Sequence, residues 1–330
     1  MWPVNLVERA DGLQRRRRVL GFPIAVIYKY FDDFGGYLAA LITYYAFVSL
    51  VPLLLLATTI LSIVLSTRPD LQERIIDSAL TQIPVVGAQL ENPKALSGGP
   101  AGVAIGLVVA LYGGLGVGNA VQYAINNIWP IPRNSRPNPC TSRLRSLALV
   151  LTAGVAILAT TTLSTYGAIQ SGWWGRGLPV VIALVANTLI INGVYRFGLS
   201  RMLPTGHHLP GAVLAAVLLQ VVQSFGVVYI GRVVQRASVT NGVIGFVLGL
   251  IAFLYLVAVI FVLCAEVNVV RVRRLFPRAL LTPFTDNVDL TDADRAAYAA
   301  QARSMRTKGF ERIDARFGRE PVDEELVRGD

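Results

Sequence analysis

The sequence predicts an all-α integral membrane protein, built as a bundle of six transmembrane helices with both termini in the cytoplasm. Apolar residues make up 54% of the 330 residues and charged residues only 15%, against about 25% charged in a typical soluble domain. Long charge-free runs each reach the roughly 20 residues that a membrane-spanning helix needs. This composition excludes a soluble globular enzyme, a disordered chain and a secreted disulfide scaffold.

The expected spans follow these charge-free runs in order along the chain. Within them the apolar residues are continuous rather than alternating, which favours helices that satisfy their own backbone hydrogen bonds over barrel strands. We place the six spans at 38–66, 101–127, 146–169, 178–196, 209–231 and 243–269.

The segment before the first span, residues 1–33, is basic and amphipathic. Arg15 to Arg18 precede apolar residues, but Lys29, Asp32 and Asp33 interrupt that stretch, so a cleaved signal peptide is rejected. Two interpretations stay open for the arginines. Either they bind anionic headgroups beside an interfacial helix, or they only set topology. The expected membrane-facing residues of that helix are Leu20, Phe22, Ile24, Ile27, Tyr28 and Phe31.

The distribution of basic residues predicts the orientation. Sixteen Lys and Arg residues flank the spans on the side of the termini, against six on the opposite side, and the basic side of a membrane protein faces the cytoplasm. We therefore predict a multi-pass protein of a bacterial inner (plasma) membrane, with both ends inside. Residues 34–274 form the membrane domain, and residues 275–330 form a charged cytoplasmic tail, largely flexible.

Two segments outside the spans have helical patterns. Residues 68–99 place apolar side chains at helical spacing opposite charged ones, which predicts an exterior amphipathic helix ending at Pro84. It is either a lid over an outward-facing cavity or a helix resting on the outer leaflet. In the tail, a helix is expected around 291–306, capped by Thr291 and Asp294.

Several segments resemble, in order, the YihY/BrkB family of bacterial inner-membrane proteins, and the subtype resembled is YhjD-like. Similarity extends over about 30–270. The segments are FDDFGGY at 31–37, TYYAFVSLVPL at 43–53, AINNIW at 124–129, LP at 203–204, GA at 211–212 and AEVN at 265–268. Cys264 stands where the family usually has glycine, which affects local packing only.

The resemblance implies a six-helix membrane fold with cytoplasmic ends. It does not imply one activity, because the family has been labelled a ribonuclease and a serum-resistance factor, and lipid-related transport has been suggested for it.

Glu266 is the only acid between Glu91 and Asp286, and it lies inside the last expected span. An ionisable residue inside a membrane is costly and therefore a candidate for function. It either couples proton uptake to transport, with Arg143, Arg145 or Arg196 as a partner, or it is a structural ion pair.

Amide and tyrosine side chains form the expected polar path. Within the second span, the polar residues recur at helical spacing and make one stripe, which either lines a path or joins helices by hydrogen bonds. Pro52 is expected to kink the first span, opening a carbonyl near two tyrosines. The path residues are Glu266, Asn268, Asn119, Gln122, Tyr123, Asn126, Asn127, Tyr44, Tyr45 and Pro52.

Enzymatic functions fit poorly, because the two histidines, His207 and His208, are adjacent and have no acids near them in sequence. Gly114 and Gly118 predict close helix packing rather than a phosphate loop. We expect no catalytic residue, cofactor, metal or nucleic-acid partner.

The predicted function is a transporter or flippase-like protein for an anionic amphiphile, with Arg143, Arg145 and Arg196 binding the headgroup. The alternative is a non-transporting envelope scaffold or regulator; anionic lipids are expected partners, and a homo-oligomer is left open.

Overall fold

The structure, a computed structural model, describes residues 11–64, 99–167, 173–233, 239–285 and 288–318. Every regular element in these ranges is helical, which confirms the all-α prediction. Six helices of 25 to 35 residues coincide with the six expected spans. The helices are α1 (Arg18–Asp32), α2 (Gly35–Val64), α3 (Gly99–Ile128), α4 (Pro139–Gly167), α5 (Trp173–Gly198), α6 (Leu209–Val233), α7 (Val239–Arg273) and α8 (Asp292–Ser304).

The apolar length of these helices bears on how many cross a membrane. Among the described residues, two stretches are both long and apolar enough to cross, Val180–Gly198 and Val247–Arg273. Shorter apolar stretches cover Gly35–Leu50 and Leu209–Gln223. Six crossings and the side on which each loop lies therefore stay predictions. The exterior amphipathic helix falls almost wholly in 65–98, outside the described residues.

Helix α3 packs closely against helices on two sides because glycines on two of its faces remove the side chains between backbones. A Cβ on Gly113 would lie 2.5 Å from Ser49 of α2, and a Cβ on Gly118 would lie 2.7 Å from the Cα of Ser146 in α4. The predicted close packing through Gly118 is thus confirmed. Packing of a second face, through Gly113, was not expected from the sequence.

Helix α7 contacts α1, α2, α3 and α6, so it is the common partner within the described bundle. In its C-terminal half, the side chains of Val262, Ala265 and Val269 are almost completely buried. The helix ends in a Schellman motif, in which the Leu275 amide donates to the Val270 carbonyl at 3.0 Å. Arg274 takes the left-handed conformation of that motif, with φ of 54°.

Helix α1 has two different faces, and this corrects part of the interfacial prediction. Ile27 and Phe31 are exposed, consistent with the predicted membrane-facing side. Phe22, however, packs edge-to-face on Phe276 at 5.5 Å, and the Tyr28 hydroxyl donates to the Leu280 carbonyl at 2.7 Å. These two rings therefore contact the segment after α7, because α1 needs an apolar face to pack on the bundle as well.

The tail helix is present where it was expected. Thr291 and Asp294 form a reciprocal capping box at the start of α8, which confirms the predicted cap. A fully buried Arg278 forms salt bridges with Asp32 of α1, at 2.9 Å, and with Asp294 of α8. The described start of the tail is therefore attached to the N-terminal helix by buried charge pairs.

Candidate functional site: a polar pocket and a buried charge cluster

A pocket of about 450 Å³ lies between the C-terminal end of α3 and the N-terminal end of α4. It combines amides, two guanidinium groups and apolar side chains. Its volume falls in the range of about 300 to 1,000 Å³ typical of small-ligand sites. The lining residues are Leu41, Tyr45, Asn119, Ala120, Gln122, Tyr123, Asn126, Arg136, Pro137, Pro139, Ser142 and Arg143.

The amides at the back of this pocket also join helices. The Gln122 side chain donates to Ser146 Oγ of α4 at 2.7 Å and to the Ser142 carbonyl at 3.0 Å. The Asn126 side chain donates to the Gly198 carbonyl of α5 at 3.1 Å and accepts from the Ser200 amide at 2.9 Å. Both residues thus hold the helices together while lining the pocket, so the two predicted uses of the polar stripe coincide.

Two arginines provide the positive charge of the pocket. Arg136 lies over the Tyr123 ring at 5.5 Å, a cation–π contact, and donates to the Ile131 carbonyl at 3.2 Å. Burial lowers the pKa of Arg136, opposed by the nearby Tyr123, and partial burial strengthens the attraction of a guanidinium for an anion. Arg143 is exposed at the edge of the pocket, on α4.

An exposed apolar face of α2 leads to the same pocket. Tyr37, Leu41 and Tyr44 are 78%, 36% and 61% exposed, and their spacing of four and three places them on one side of the helix. Leu41 lines the pocket itself. The pocket therefore adjoins an aromatic and aliphatic surface of the kind that contacts acyl chains in a bilayer.

The remaining predicted path residues lie elsewhere. The Asn127 side chain donates to the Asp33 carbonyl at 3.4 Å, and Asn268 accepts from the Gly211 amide at 2.8 Å. Helix α2 runs through Pro52 without interruption, while the Pro52 side chain is outside the described residues, and its kink stays a prediction.

Of the three predicted headgroup ligands, only Arg143 lines the pocket. Arg145 and Arg196 are exposed away from this lining, and Arg196 donates instead to Thr205 Oγ1 at 3.1 Å. Arg196 does not line the pocket because it lies at the end of α5. Arg145 does not line it because residues two positions apart on a helix, such as Arg143 and Arg145, point to different sides.

Glu266 belongs to a second site, a buried charge cluster formed by Lys29, Asp33 and Glu266. Their side chains are 2%, 4% and 0% exposed. The Lys29 ammonium pairs with Asp33 and lies 3.7 Å from Glu266 Oε2. The predicted arginine partners were wrong within the described residues, because α1 packs on α7 and places a lysine there. The expected single polar path from Tyr45 to Glu266 is likewise not found in the described part, since Glu266 does not line the pocket.

The charges of this cluster affect one another. Burial alone lowers the pKa of Lys29, but the negative charges of Glu266 and Asp33 outweigh it and leave that pKa raised. Burial raises the pKa of Asp33, and the adjacent Lys29 only partly offsets this. Lys29 therefore stays charged, and the two acids compete for one cation.

The sequence analysis did not identify three of the site residues, Arg136, Lys29 and Asp33. For Lys29 and Asp33 a signal existed, because a lysine and an acid four residues apart on one helix face form a pair. Nothing in the sequence linked that pair to Glu266, more than 200 residues away. Arg136 looked like one of many topology-setting arginines, and only its position over Tyr123 distinguishes it.

No group of three potential metal ligands occurs among the described residues. The two free cysteines, Cys140 and Cys264, are exposed and buried respectively. The side chains that line the pocket offer recognition of an anion by guanidinium, amide and hydroxyl donors beside an apolar surface.

The described part of the chain is a bundle of helices, and two of them contain stretches long and apolar enough to cross a membrane. The chain belongs to the virulence factor BrkB family, whose model matches residues 26–284. It is also similar to the inner membrane protein YhjD of Escherichia coli (strain K12), at 26% identity over 287 residues, covering 79% of this chain and 83% of that protein. These similarities confirm the predicted family and support a location in the inner membrane. No solved structure matches the chain.

Proposed function

We propose that this protein is a multi-pass inner-membrane transporter or flippase-like protein for an anionic amphiphile, such as a phospholipid or an envelope precursor. The observation that carries the proposal is the pocket in which Arg136 and Arg143 stand beside the exposed apolar face of α2. An anionic headgroup fits the arginines, because guanidinium groups donate charge-assisted hydrogen bonds to phosphate. An acyl chain fits the face formed by Tyr37, Leu41 and Tyr44.

The location of the pocket supports this proposal. In the predicted orientation, the end of α3 and the start of α4 lie at the cytoplasmic boundary, where newly made amphiphiles would enter. Ser142 Oγ donates to Asn119 Oδ1 at 2.9 Å, so this hydroxyl and amide are held together at the pocket wall. The scaffold alternative accounts for the helix-joining bonds of Gln122 and Asn126, but it gives no role to Arg136 above Tyr123.

The test is reconstitution of the full chain into liposomes that contain fluorescent phosphatidylglycerol, with transbilayer movement followed by chemical quenching of the outer leaflet. We expect protein-dependent movement that falls at least several-fold in the Arg136→Gln and Arg143→Gln variants. Arg133→Gln, a change of the same charge in an exposed residue of the same loop that does not line the pocket, is the matched control and keeps the wild-type rate.

Fluorescent phosphatidylcholine, which has no net charge, separates recognition of the anion from general disturbance of the bilayer. Equal movement of both lipids would argue against selection by the arginines. Failure of correctly folded protein to move any lipid or lipid-linked anion would favour the scaffold.

A further inference from the structure

The buried charge cluster contains more negative than positive groups. Lys29 lies in the last turn of α1, Asp33 is the C-cap residue of that helix, and Glu266 lies in α7. The Lys29 ammonium also donates to the Ile128 carbonyl of α3 at 3.3 Å, so three helices converge on one ammonium group. Two carboxyl groups thus share a single buried cation.

Among the described residues, the groups around the cluster do not supply a second buried cation. Asp32, the next acid along α1, is paired with Arg278 at 2.9 Å. Arg273 of α7 lies close enough to favour the charge of Asp33, but its side chain is only partly buried, forms no salt bridge with either acid and donates to the Trp129 carbonyl at 2.9 Å. Tyr30 of α1 and Tyr255 of α7, which are hydrogen-bonded to each other, face Glu266 as neutral hydroxyls. Helix α3 adds only the Asn127 amide and a carbonyl.

If both carboxyl groups were ionised, the cluster would carry a net negative charge away from water. Isolated buried charges are so costly that a group neutralises instead. Neither oxygen of Glu266 accepts a hydrogen bond among the described residues, so the Lys29 ammonium, 3.7 Å from Oε2, is the group there that favours its ionised form. One bound proton balances the cluster.

We propose that Asp33 and Glu266 form a proton-binding site that holds one exchangeable proton, with Lys29 as its fixed cation. Release of that proton to water leaves a carboxylate without a partner at the contact between α1 and α7. The contact is therefore weaker in the deprotonated state, which makes the position of α1 sensitive to protonation. This inference goes beyond the proposed function, because the site exists whatever the cargo is.

The site is tested by infrared spectroscopy of the purified full-length protein in detergent, titrated from neutral to alkaline pH without lipid cargo. Exposed acids are ionised at neutral pH, so we expect a protonated carboxyl stretch from this cluster that disappears at higher pH. Glu266→Gln and Asp33→Asn each leave one acid for one cation, and each variant is expected to lose the band. Glu311→Gln, at a half-exposed acid of the tail that accepts from the Thr307 and Lys308 amides, is the control and retains it.

Lys29→Met provides an opposite prediction. Without the cation, both acids have to be neutral, so the band is expected to grow roughly twofold rather than vanish. Thermal unfolding of the wild type and of Glu266→Gln is a second measurement, and it tests the site even if Lys29→Met does not fold. Stability of the wild type is expected to fall as pH rises through the titration of the site, because the folded state then binds more protons than the unfolded state. The Glu266→Gln variant is expected to lose that fall.

Two results would overturn the proposal. One is the absence of any protonated carboxyl band in the wild type at neutral pH, which would make the cluster an ordinary ion pair. The other is a Glu266→Gln variant that fails to fold, since a neutral amide has nearly the shape of the protonated acid. The infrared band and the folding of the variant are both measured without lipid movement. Failure of the transport proposal would therefore not affect the proposed proton-binding site.

Discussion

His208 illustrates how a single polar residue is accommodated in the bundle. Its ring is fully buried and packs edge-to-face on Trp129 at 5.3 Å. Neither ring nitrogen has a hydrogen-bond partner among the described residues. Burial, with the nearby positive charge of Arg196 and the neighbouring His207, lowers the pKa of His208 to about 4. The residue therefore behaves as an aromatic packing group that becomes unfavourable when protonated.

We predict that His208 makes the protein sensitive to acid. Between pH 6.5 and about 4, the unfolded chain binds a proton at this residue and the folded chain does not, so stability falls as pH is lowered. His208→Phe keeps the ring contact and is expected to remove that loss, measured by thermal unfolding in detergent between pH 7 and 4. His207→Gln is the control: it removes only the smaller effect of a neighbouring charge and keeps the burial of His208, so most of the loss remains. An identical effect of both changes would contradict the assignment.

At the scale of the elements, backbone contact between helices depends on particular glycines. Gly118 of α3 faces Ser146 of α4 with no room for a side chain, whereas a Cβ on Gly154 of α4 would meet nothing within 4 Å. The same residue type therefore has opposite roles at the two positions. At the first it permits contact, and at the second it only costs helix stability.

The two glycines predict opposite results on mutation to alanine. Gly118→Ala forces α3 and α4 apart and is expected to destabilise the protein by about 1 to 3 kcal/mol. Gly154→Ala is expected to stabilise it by up to about 1 kcal/mol, through helix propensity alone. Denaturant unfolding in one detergent measures both. Destabilisation of similar size at both positions would show that the contact at Gly118 has no special importance.

The attachment of the tail is a second property of the elements. Asp294 of α8 is fully buried, pairs with Arg278 and accepts from the Ala279 amide at 3.0 Å. Removing one partner of a buried pair leaves the other charge uncompensated, which is strongly destabilising. The exposed pair of Arg312 and Asp314 has the same chemistry without the burial.

We predict that Asp294→Asn releases the tail from α1. The substitution keeps the side-chain shape but leaves Arg278 with Asp32 as its remaining charged partner. Losing a hydrogen bond between two charged groups is expected to cost the attachment about 1.5 to 3 kcal/mol. Limited proteolysis is expected to cut within 275–304 much faster than in the wild type. Asp314→Asn, in the exposed pair, is the control and leaves the cleavage rate there unchanged. Equal cleavage of all three proteins would contradict the role of the buried pair.

At the scale of the whole molecule, the topology predicts which face of the membrane each loop meets. Cys140 is exposed just inside α4, and Cys264 is buried in α7. In the predicted orientation, with both termini inside, the start of α4 is expected to lie in the cytoplasm. The two cysteines are the only ones in the sequence, so labelling reports on one loop.

A membrane-impermeant maleimide is therefore expected to label Cys140 in inside-out vesicles and not in intact spheroplasts. Cys140→Ser removes the label. In that background, Gln170→Cys, in a loop expected outside, is predicted to react in spheroplasts instead. Labelling of Cys140 from the outside would reverse the orientation, and labelling from both sides would show that the loop is not confined to one face.

Much of the fold was predictable because membrane-type helices have a strong local signal. Long apolar runs specify α2 to α7 without reference to tertiary contacts, since each helix satisfies its own backbone hydrogen bonds. The capping box of α8 is local as well. The family was also identifiable from short segments such as 31–37 and 265–268.

The candidate sites were predictable only in part. The amide stripe containing Asn119, Gln122 and Asn126 lies on one helix, so its spacing alone predicted that these residues share one side of α3. The ligand set of Arg136 and Arg143 depends on the path of the loop between α3 and α4, which no periodicity specifies.

By itself, the sequence determined the helical class, the family, the places of the six long helices and the unusual presence of Glu266 in an apolar segment. Only the tertiary structure decided that Glu266 meets Lys29 and Asp33, that Arg278 joins α1 to α8, and that Arg136 rather than Arg145 reaches the pocket. The physical reason is range: helix formation and hydrophobic patterning act between residues a few positions apart. Pairing of buried charges depends on how distant helices pack, and packing is a property of the whole chain.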